Sequence, residues 1–458
     1  MAKLTEGKIL QSIVKLGLPI MGASFVQMAY NMADMAWLGH VNSETVAAVG
    51  VSLFFIWFFN SLLMTTKIGA EVTVSQAEGA KDYETSNRSA FTAWSLGVIL
   101  SVVASVIVYI FAPKLLALFN FDKPEVAQIG TTYLRWCALG FVFAFGNPTL
   151  SGVLNGKGNS RVPFVLISIG LVLNIILDPL MIFGYGFVPA MGAKGAAIAT
   201  VLTQVLVFAG FIFYYLKHEI QHHAFWKFDF QIAKRIFKVG GPAAVQNALF
   251  SVFSMVLARI VAVYGADAVA VQSIGIQIEA LSWMTALGIS TALSSFVGQN
   301  FGAQKHDRIR KGVKYSLLVM SAFGIFISVL FMFGGSNIYK IFIGEAAAQL
   351  LGGKYLFILG VSQLFMIYEI TGSGLFYGLG KSQIPSVVGI VFTGLRIPLA
   401  LFLAHQMDMG VYGVWWSVSI SSFVKGTVIL GLTVRMLKKM KHQEQESIDV
   451  ELPEVALS

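Results

Sequence analysis

The sequence holds a single cysteine, Cys137, which excludes an intramolecular disulfide and any multi-cysteine zinc or iron–sulfur site. Charge is almost as scarce. Asp, Glu, Lys and Arg make up 12 % of the 458 residues, against about 25 % in a typical soluble domain. So few charges do not cover the surface of a soluble protein this large, so an ordinary cytosolic enzyme is excluded. A disordered chain is excluded by the opposite excess, a 56 % content of hydrophobic residues and a mean hydropathy of +0.74. What is plentiful is long uncharged apolar sequence, such as Phe91 to Ala112 and Tyr315 to Tyr339. A bilayer core about 30 Å thick takes ~20 such residues as a helix. Backbone groups inside it must satisfy one another, and the ten-residue alternation of a membrane barrel is absent.

These runs predict an all-α membrane protein with twelve transmembrane helices. They fall at about 12–38, 46–71, 91–112, 128–152, 162–184, 194–216, 238–264, 269–297, 315–338, 351–376, 384–405 and 411–434. The first is too long, and too polar on one face, for a cleaved signal peptide. Lys and Arg set the orientation. With both termini in the cytoplasm, 22 of them lie on the cytoplasmic side and 5 on the outer side. The net charge of +9 is thereby a property of loops beside a membrane, and no nucleic-acid partner follows from it.

The chain repeats itself. Gly17 and Pro19 return as Gly240 and Pro242, and Gln76, Gly79 and Ala80 as Gln299, Gly302 and Ala303, all 223 residues later. Tyr133, Gly152, Gly156 and Gly158 return as Tyr355, Gly374, Gly378 and Gly380, 222 later. Six spans per half is an even number, so the halves enter the bilayer from the same side: two parallel six-helix repeats. The expected organisation is a lobe at 1–216, a basic cytoplasmic linker at 217–237, a second lobe at 238–437 and a disordered cytoplasmic tail at 438–458. The two-lobed repeat permits a working monomer. The glycine pairs at 152/156 and 374/378 have small-xxx-small spacing, which serves close helix packing.

An ionisable group inside a span is costly and marks function by default. In the first span Ser24, Gln27, Asn31 and Asp34 share a helical face, and Pro19 in the same helix is a candidate bending point. In the fifth span Asn174 and Asp178 lie one turn apart, followed by Pro179. Tyr133 of the fourth span and Thr200 and Thr203 of the sixth are available to complete a polar site. Repeat positions of the two acids are Leu257 and Ala400, so the pair belongs to the first half alone. Paired carboxyls in an apolar setting make a site that loads and releases a proton. In the second half, Glu279 with Trp283 and Gln272, and Glu369 with Tyr368, are candidates to bind a cationic substrate; pairing with Arg259 or Arg396 is the competing reading. Gln27 and Asn31 are candidate substrate contacts as well.

Together these residues resemble the multidrug and toxic compound extrusion (MATE) transporters. The carriers are Gly17-Leu18-Pro19; Asp34 with Trp37, Gly39 and His40; Gln76-Ala77-Glu78-Gly79-Ala80; Gly156-Lys157-Gly158; Asn174 to Asp178-Pro179; and Gly298-Gln299-Asn300-Phe301-Gly302-Ala303. The resemblance spans about 10–437. It implies a proton- or sodium-coupled antiporter in the cell membrane that exports organic cations and other drugs, with no cofactor beyond the coupling H+ or Na+. In the family's DinF-like branch the ion site maps onto Asp34, Asn174 and Asp178, assisted by Tyr133 and Thr200. The NorM-like branch carries acids in the seventh and tenth spans; the seventh span here has none, which favours protons.

Two other readings compete. A lipid-linked oligosaccharide flippase of related architecture would need a strongly cationic cavity, and few Lys or Arg lie mid-span. His218-Glu219-Ile220-Gln221-His222 fits the H-E-x-x-H pattern of zinc proteases, but no clear third ligand follows it. A transporter, not an enzyme, is expected.

Overall fold

The computed structural model describes residues 4–119, 123–186, 188–218 and 227–455, with side chains described as far as 442 except at 43 and 63. The described chain is almost wholly helical. In order, the helices are α1 (Ile9–Gly39), α2 (Ser43–Gly79), α3 (Tyr83–Ala117), α4 (Pro124–Leu139), α5 (Phe141–Gly156), α6 (Arg161–Phe183) and α7 (Gly192–His218). The second half holds α8 (Phe230–Ala262), α9 (Ala266–Gly302), α10 (His306–Tyr339), α11 (Ala346–Gly378), α12 (Gln383–Gly394), α13 (Arg396–Leu401) and α14 (Val411–Val455). Eleven segments are long and apolar enough to cross a bilayer, and α4 with α5 forms a twelfth bent by 50°. This is the all-α, many-spanning architecture expected.

Both irregular spans have a local cause. The fourth breaks at Gly140, where the absent side chain admits Val201; a Cβ there would lie 2.5 Å from its Cγ2. The eleventh is α12, α13 and a π-helical turn at Phe402–Gln406. Its break falls between Gly394 and Arg396, because Pro398 has no N–H to bond the Gly394 carbonyl. Pro19, by contrast, sits inside an unbroken α1. Where the sequence reading placed a linker as far as 237, α8 already begins at Phe230. The Asp229 carboxylate accepts from the amides of Gln231 (2.8 Å) and Ile232 (3.1 Å), an N-cap that starts the helix early. Likewise α14 continues to Val455, through a segment expected to be disordered. The start of that segment is rich in Lys, Gln and Glu, all good helix formers. Of the His218–His222 motif, His218 closes α7 and the remainder lies outside the described residues.

Two compact units make up the fold. Unit 1 comprises Pro19–Glu78 and Asp82–Val245; unit 2 comprises the chain up to Leu18, Gly79–Lys81 and everything from Gln246. The division therefore cuts α1 and α8 near their prolines, instead of falling in the linker. Within unit 2, Gly17 packs on α9, where a Cβ would lie 2.9 Å from Ile289 Cδ1. Within unit 1, Gly240 packs on the α2 backbone at Thr65.

The repeat is visible atom by atom. A Cβ on Gly152 would lie 2.5 Å from the carbonyl oxygen of Lys67, and one on Gly374 2.5 Å from that of Ser290. For Gly156 and Gly378 the blocking carbonyls are Glu71 (2.7 Å) and Ser294 (2.5 Å). Ser290 and Ser294 stand 223 residues after Lys67 and Glu71. The small-xxx-small glycines thus bring the same two backbones together in each unit.

Candidate functional site

Unit 1 gathers one polar cluster from four helices. Asn174 and Asp178 face inward from α6 with no solvent exposure, and Tyr133 on α4 is 3 % exposed. One helical turn separates Asn174 from Asp178, so the amide donates from Nδ2 to the Asp178 Oδ1 at 3.0 Å. Half-buried Asp34, on α1, faces them. Its Oδ2 accepts from the Thr200 hydroxyl of α7 at 3.4 Å, the long end of hydrogen bonding. The Asp34 and Asp178 carboxyls interact directly, and Asn174 reaches Asp34 also.

The five residues expected to form an ion site are thus brought together. Of the two candidate threonines only Thr200 reaches it; Thr203 turns its hydroxyl back to the Ala199 carbonyl at 2.8 Å. Two participants escaped the sequence reading. Tyr30, one turn before Asp34, interacts with Thr200 and with both carboxyls, and Cys137, one turn after Tyr133, shares the phenol's surroundings. Their signal is only their spacing of four from a site residue, which is weak among so many membrane-helix tyrosines. Gln27 and Asn31, expected on the same face as Asp34, are solvent-exposed, and Ser24 bonds the Ile20 carbonyl at 3.2 Å.

The electrostatics of this cluster are one-sided. Two acids meet hydroxyls, an amide and a thiol, and none of these partners is basic. Asp34 Oδ1, Asp178 Oδ2, Asn174 Oδ1 and the Tyr30 hydroxyl are buried without a hydrogen-bond partner among the described residues. Ionised carboxylates only accept hydrogen bonds. A proton on either one turns the facing pair into donor and acceptor.

Unit 2 builds a different cluster. Gln363 of α11 donates from Nε2 to Glu279 Oε1 of α9 at 3.0 Å, and Ser282 donates to Gln363 Oε1 at 3.0 Å. Glu369 pairs with Lys425 of α14 at 2.9 Å, both largely buried. Arg396, at the start of α13, donates to the hydroxyls of Ser421 (2.9 Å) and Ser422 (3.1 Å) and interacts electrostatically with both Glu369 and Glu279. Arg259 is exposed, so of the two arginines weighed as partners Arg396 takes the part, with Lys425 added. Tyr368 shares a hydrogen bond with Ser321 at 2.9 Å, Gln272 accepts from Trp415 at 3.0 Å, and Trp283 is half-buried. Two acids here are met by two bases.

Comparison with known proteins agrees with this geometry. The MatE family model matches residues 19–180 and 242–402, one match per repeat. A probable multidrug resistance protein NorM of Thermotoga maritima is 31 % identical over 430 residues, 89 % of this chain and 88 % of the relative. The probable multidrug resistance protein YoeA of Bacillus subtilis is 28 % identical, covering 85 % of each. Among solved structures, a MOP superfamily transporter from Pyrococcus furiosus superimposes with a TM-score of 0.87 at 24 % identity, over 96 % of this chain and 98 % of that one. An outward-facing multidrug resistance MATE family transporter of the same superfamily gives 0.85 at 24 % identity, over 96 % and 98 %. With both halves matched and a relative above 30 % identity along most of its length, this chain belongs to the MatE family of multidrug efflux transporters.

Proposed function

We propose that the protein is a cation-coupled antiporter of organic cations and other drugs, with the proton as coupling ion and the Asp34–Asp178 pair as its binding site. The supporting observation is that two carboxyls face each other in unit 1 without a basic partner among the groups they touch. Such a pair holds a small cation more readily than it holds two negative charges. Asn174 and Thr200 hydrogen-bond the two carboxyls and hold them in place, with Tyr133 and Tyr30 beside them. Loading the site with a proton removes the negative charge that attracts a cationic substrate; releasing the proton restores it. A proton moving down its concentration gradient supplies the free energy for export against the substrate's gradient, and the membrane potential adds about 2.3 kcal/mol per 100 mV for each net charge moved per cycle. The Lys and Arg distribution supports a cell-membrane protein with both termini in the cytoplasm.

Proteoliposomes test this with a proton gradient or a sodium gradient imposed alone, reading movement of a fluorescent organic cation. The proton gradient alone is expected to drive it. Transport driven only by sodium would transfer the site to that ion, and transport independent of both would remove the coupling role.

A further inference from the structure

The repeat carries two positions of the unit 1 site into a cluster of buried charges in unit 2. At an offset of 222, Tyr133 corresponds to Tyr355 and Asn174 to Arg396; at the offset of 218 that relates Gly192 to Gly410, Thr203 corresponds to Ser421. In unit 1 Tyr133 and Asn174 belong to the cluster of the carboxyl pair, while the Thr203 hydroxyl turns back to the Ala199 carbonyl. In unit 2, Arg396 bonds Ser421 and interacts with Tyr355, so the positions of Tyr133 and Asn174 meet again. The guanidinium stands where unit 1 has the amide of Asn174. The acids now come from other helices, Glu279 on α9 and Glu369 on α11.

We propose that Arg396, at the repeat position of Asn174, is with Lys425 a tethered cation that balances Glu279 and Glu369, and that it restricts ion coupling to unit 1. This rests on the reading of unit 1 as the ion site. In unit 1 a mobile ion balances the carboxyls; in unit 2 a covalently held charge does, so unit 2 neither takes up nor releases one during transport. Every charged or titratable group around Arg396 and Glu279 fits this account. Glu279 faces Arg396 and Lys425, with Tyr339 of α10 and Tyr355 of α11 beside it; Glu369 is held by Lys425. A second acidic site left open would double the ions a cycle must carry.

The test uses the full-length protein in an Asp34→Asn, Asp178→Asn background, where unit 1 has lost both carboxyls. The melting temperature is read across ~3 pH units and with added sodium. The account predicts that Arg396→Asn introduces a cation dependence absent from the background, a shift of about 2 °C or more on acidification or on adding sodium. Arg396→Lys keeps a fixed charge and is expected to show none, and Glu279→Gln added to Arg396→Asn is expected to abolish it. Lys425→Gln reads the same dependence through Glu369, should Arg396→Asn fail to fold. A melting temperature lowered equally under every condition in both Arg396→Asn and Lys425→Gln would overturn the proposal and leave Arg396 a packing residue. Because the assay involves no transport, failure of the unit 1 reading shows separately, as full efflux by Asp34→Asn.

Discussion

The two units share a repeat and a set of glycine contacts, yet differ most where function concentrates. Asp34 and Asp178 face each other in unit 1; their counterparts Leu257 and Ala400 pack together in an apolar cluster with Val261 and Ala404 in unit 2. The same helix pairing is therefore stable with an apolar filling. Two acids are not needed to build it, and their cost in unit 1 calls for a functional reason. Asn174 and Arg396 carry the contrast further: an uncharged amide supports a carboxyl pair in one unit, while a guanidinium takes a share of two glutamates in the other. The frame repeats, and a few inward positions differ: a carboxyl pair without a basic partner in unit 1, and acids met by bases in unit 2.

The most severe way to break this comparison is Asp34→Asn, which is expected to reduce efflux of a fluorescent cation to the level of cells lacking the transporter. Immunodetection in the membrane fraction is expected to show normal amounts of protein. Asp178→Asn is expected to act less severely, because Asp34 retains a carboxyl: transport slows, and its dependence on external pH flattens. An unchanged pH profile would count against a shared proton site. At the matching place in unit 2, Leu257→Ala is expected to cost roughly 2–5 kcal/mol of stability, read as a lower melting temperature, and to leave the pH profile of transport unaltered. A moved pH profile would erase the distinction between the units.

The smallest expected effect concerns the paired turns that follow α2 and α9. Asp82 accepts from the Thr85 amide at 3.0 Å and caps α3; its counterpart Lys305, 223 residues later, makes no side-chain cap on α10 and donates instead to the Thr5 carbonyl at 2.9 Å. Hydrogen bonds from Thr85 hold the Asp82 carboxyl below its ordinary range. The stability it contributes is thus present above the unfolded value of about 3.9 and lost as pH falls through the lower folded value. Asp82→Ala is expected to cost about 1 kcal/mol near neutral pH, and Lys305→Ala none through capping, in melting curves of the two variants.

How far the sequence discloses this arrangement depends on the range of the signal. Spans are legible because each is a continuous apolar run, and the repeat because glycines that admit a backbone cannot be exchanged for larger residues. Asn174 and Asp178 are one turn apart, so their bond is a local consequence of helix geometry. That Asp34 meets them follows from the cost of leaving an acid alone in an apolar setting. Pairings that depend on how helices rotate against each other are not legible. Lys425 and Glu369 lie 56 residues apart on α14 and α11, and nothing local selects Lys425 as the partner. Thr200 and Thr203 are equivalent in sequence, and only the rotation of α7 turns one towards Asp34. The break at Gly140 depends on Val201, on another helix, pressing into the bare glycine.

Difference infrared spectroscopy of the transporter in lipid bears most directly on the central claim. Protonated and ionised carboxyls absorb separately, and Asn variants assign the bands. The account predicts that a carboxyl of the Asp34–Asp178 pair gains and loses its proton between acidic and alkaline conditions, and loses it when a cationic substrate binds. Asp34 and Asp178 each locked in a single protonation form, with and without substrate, would contradict it.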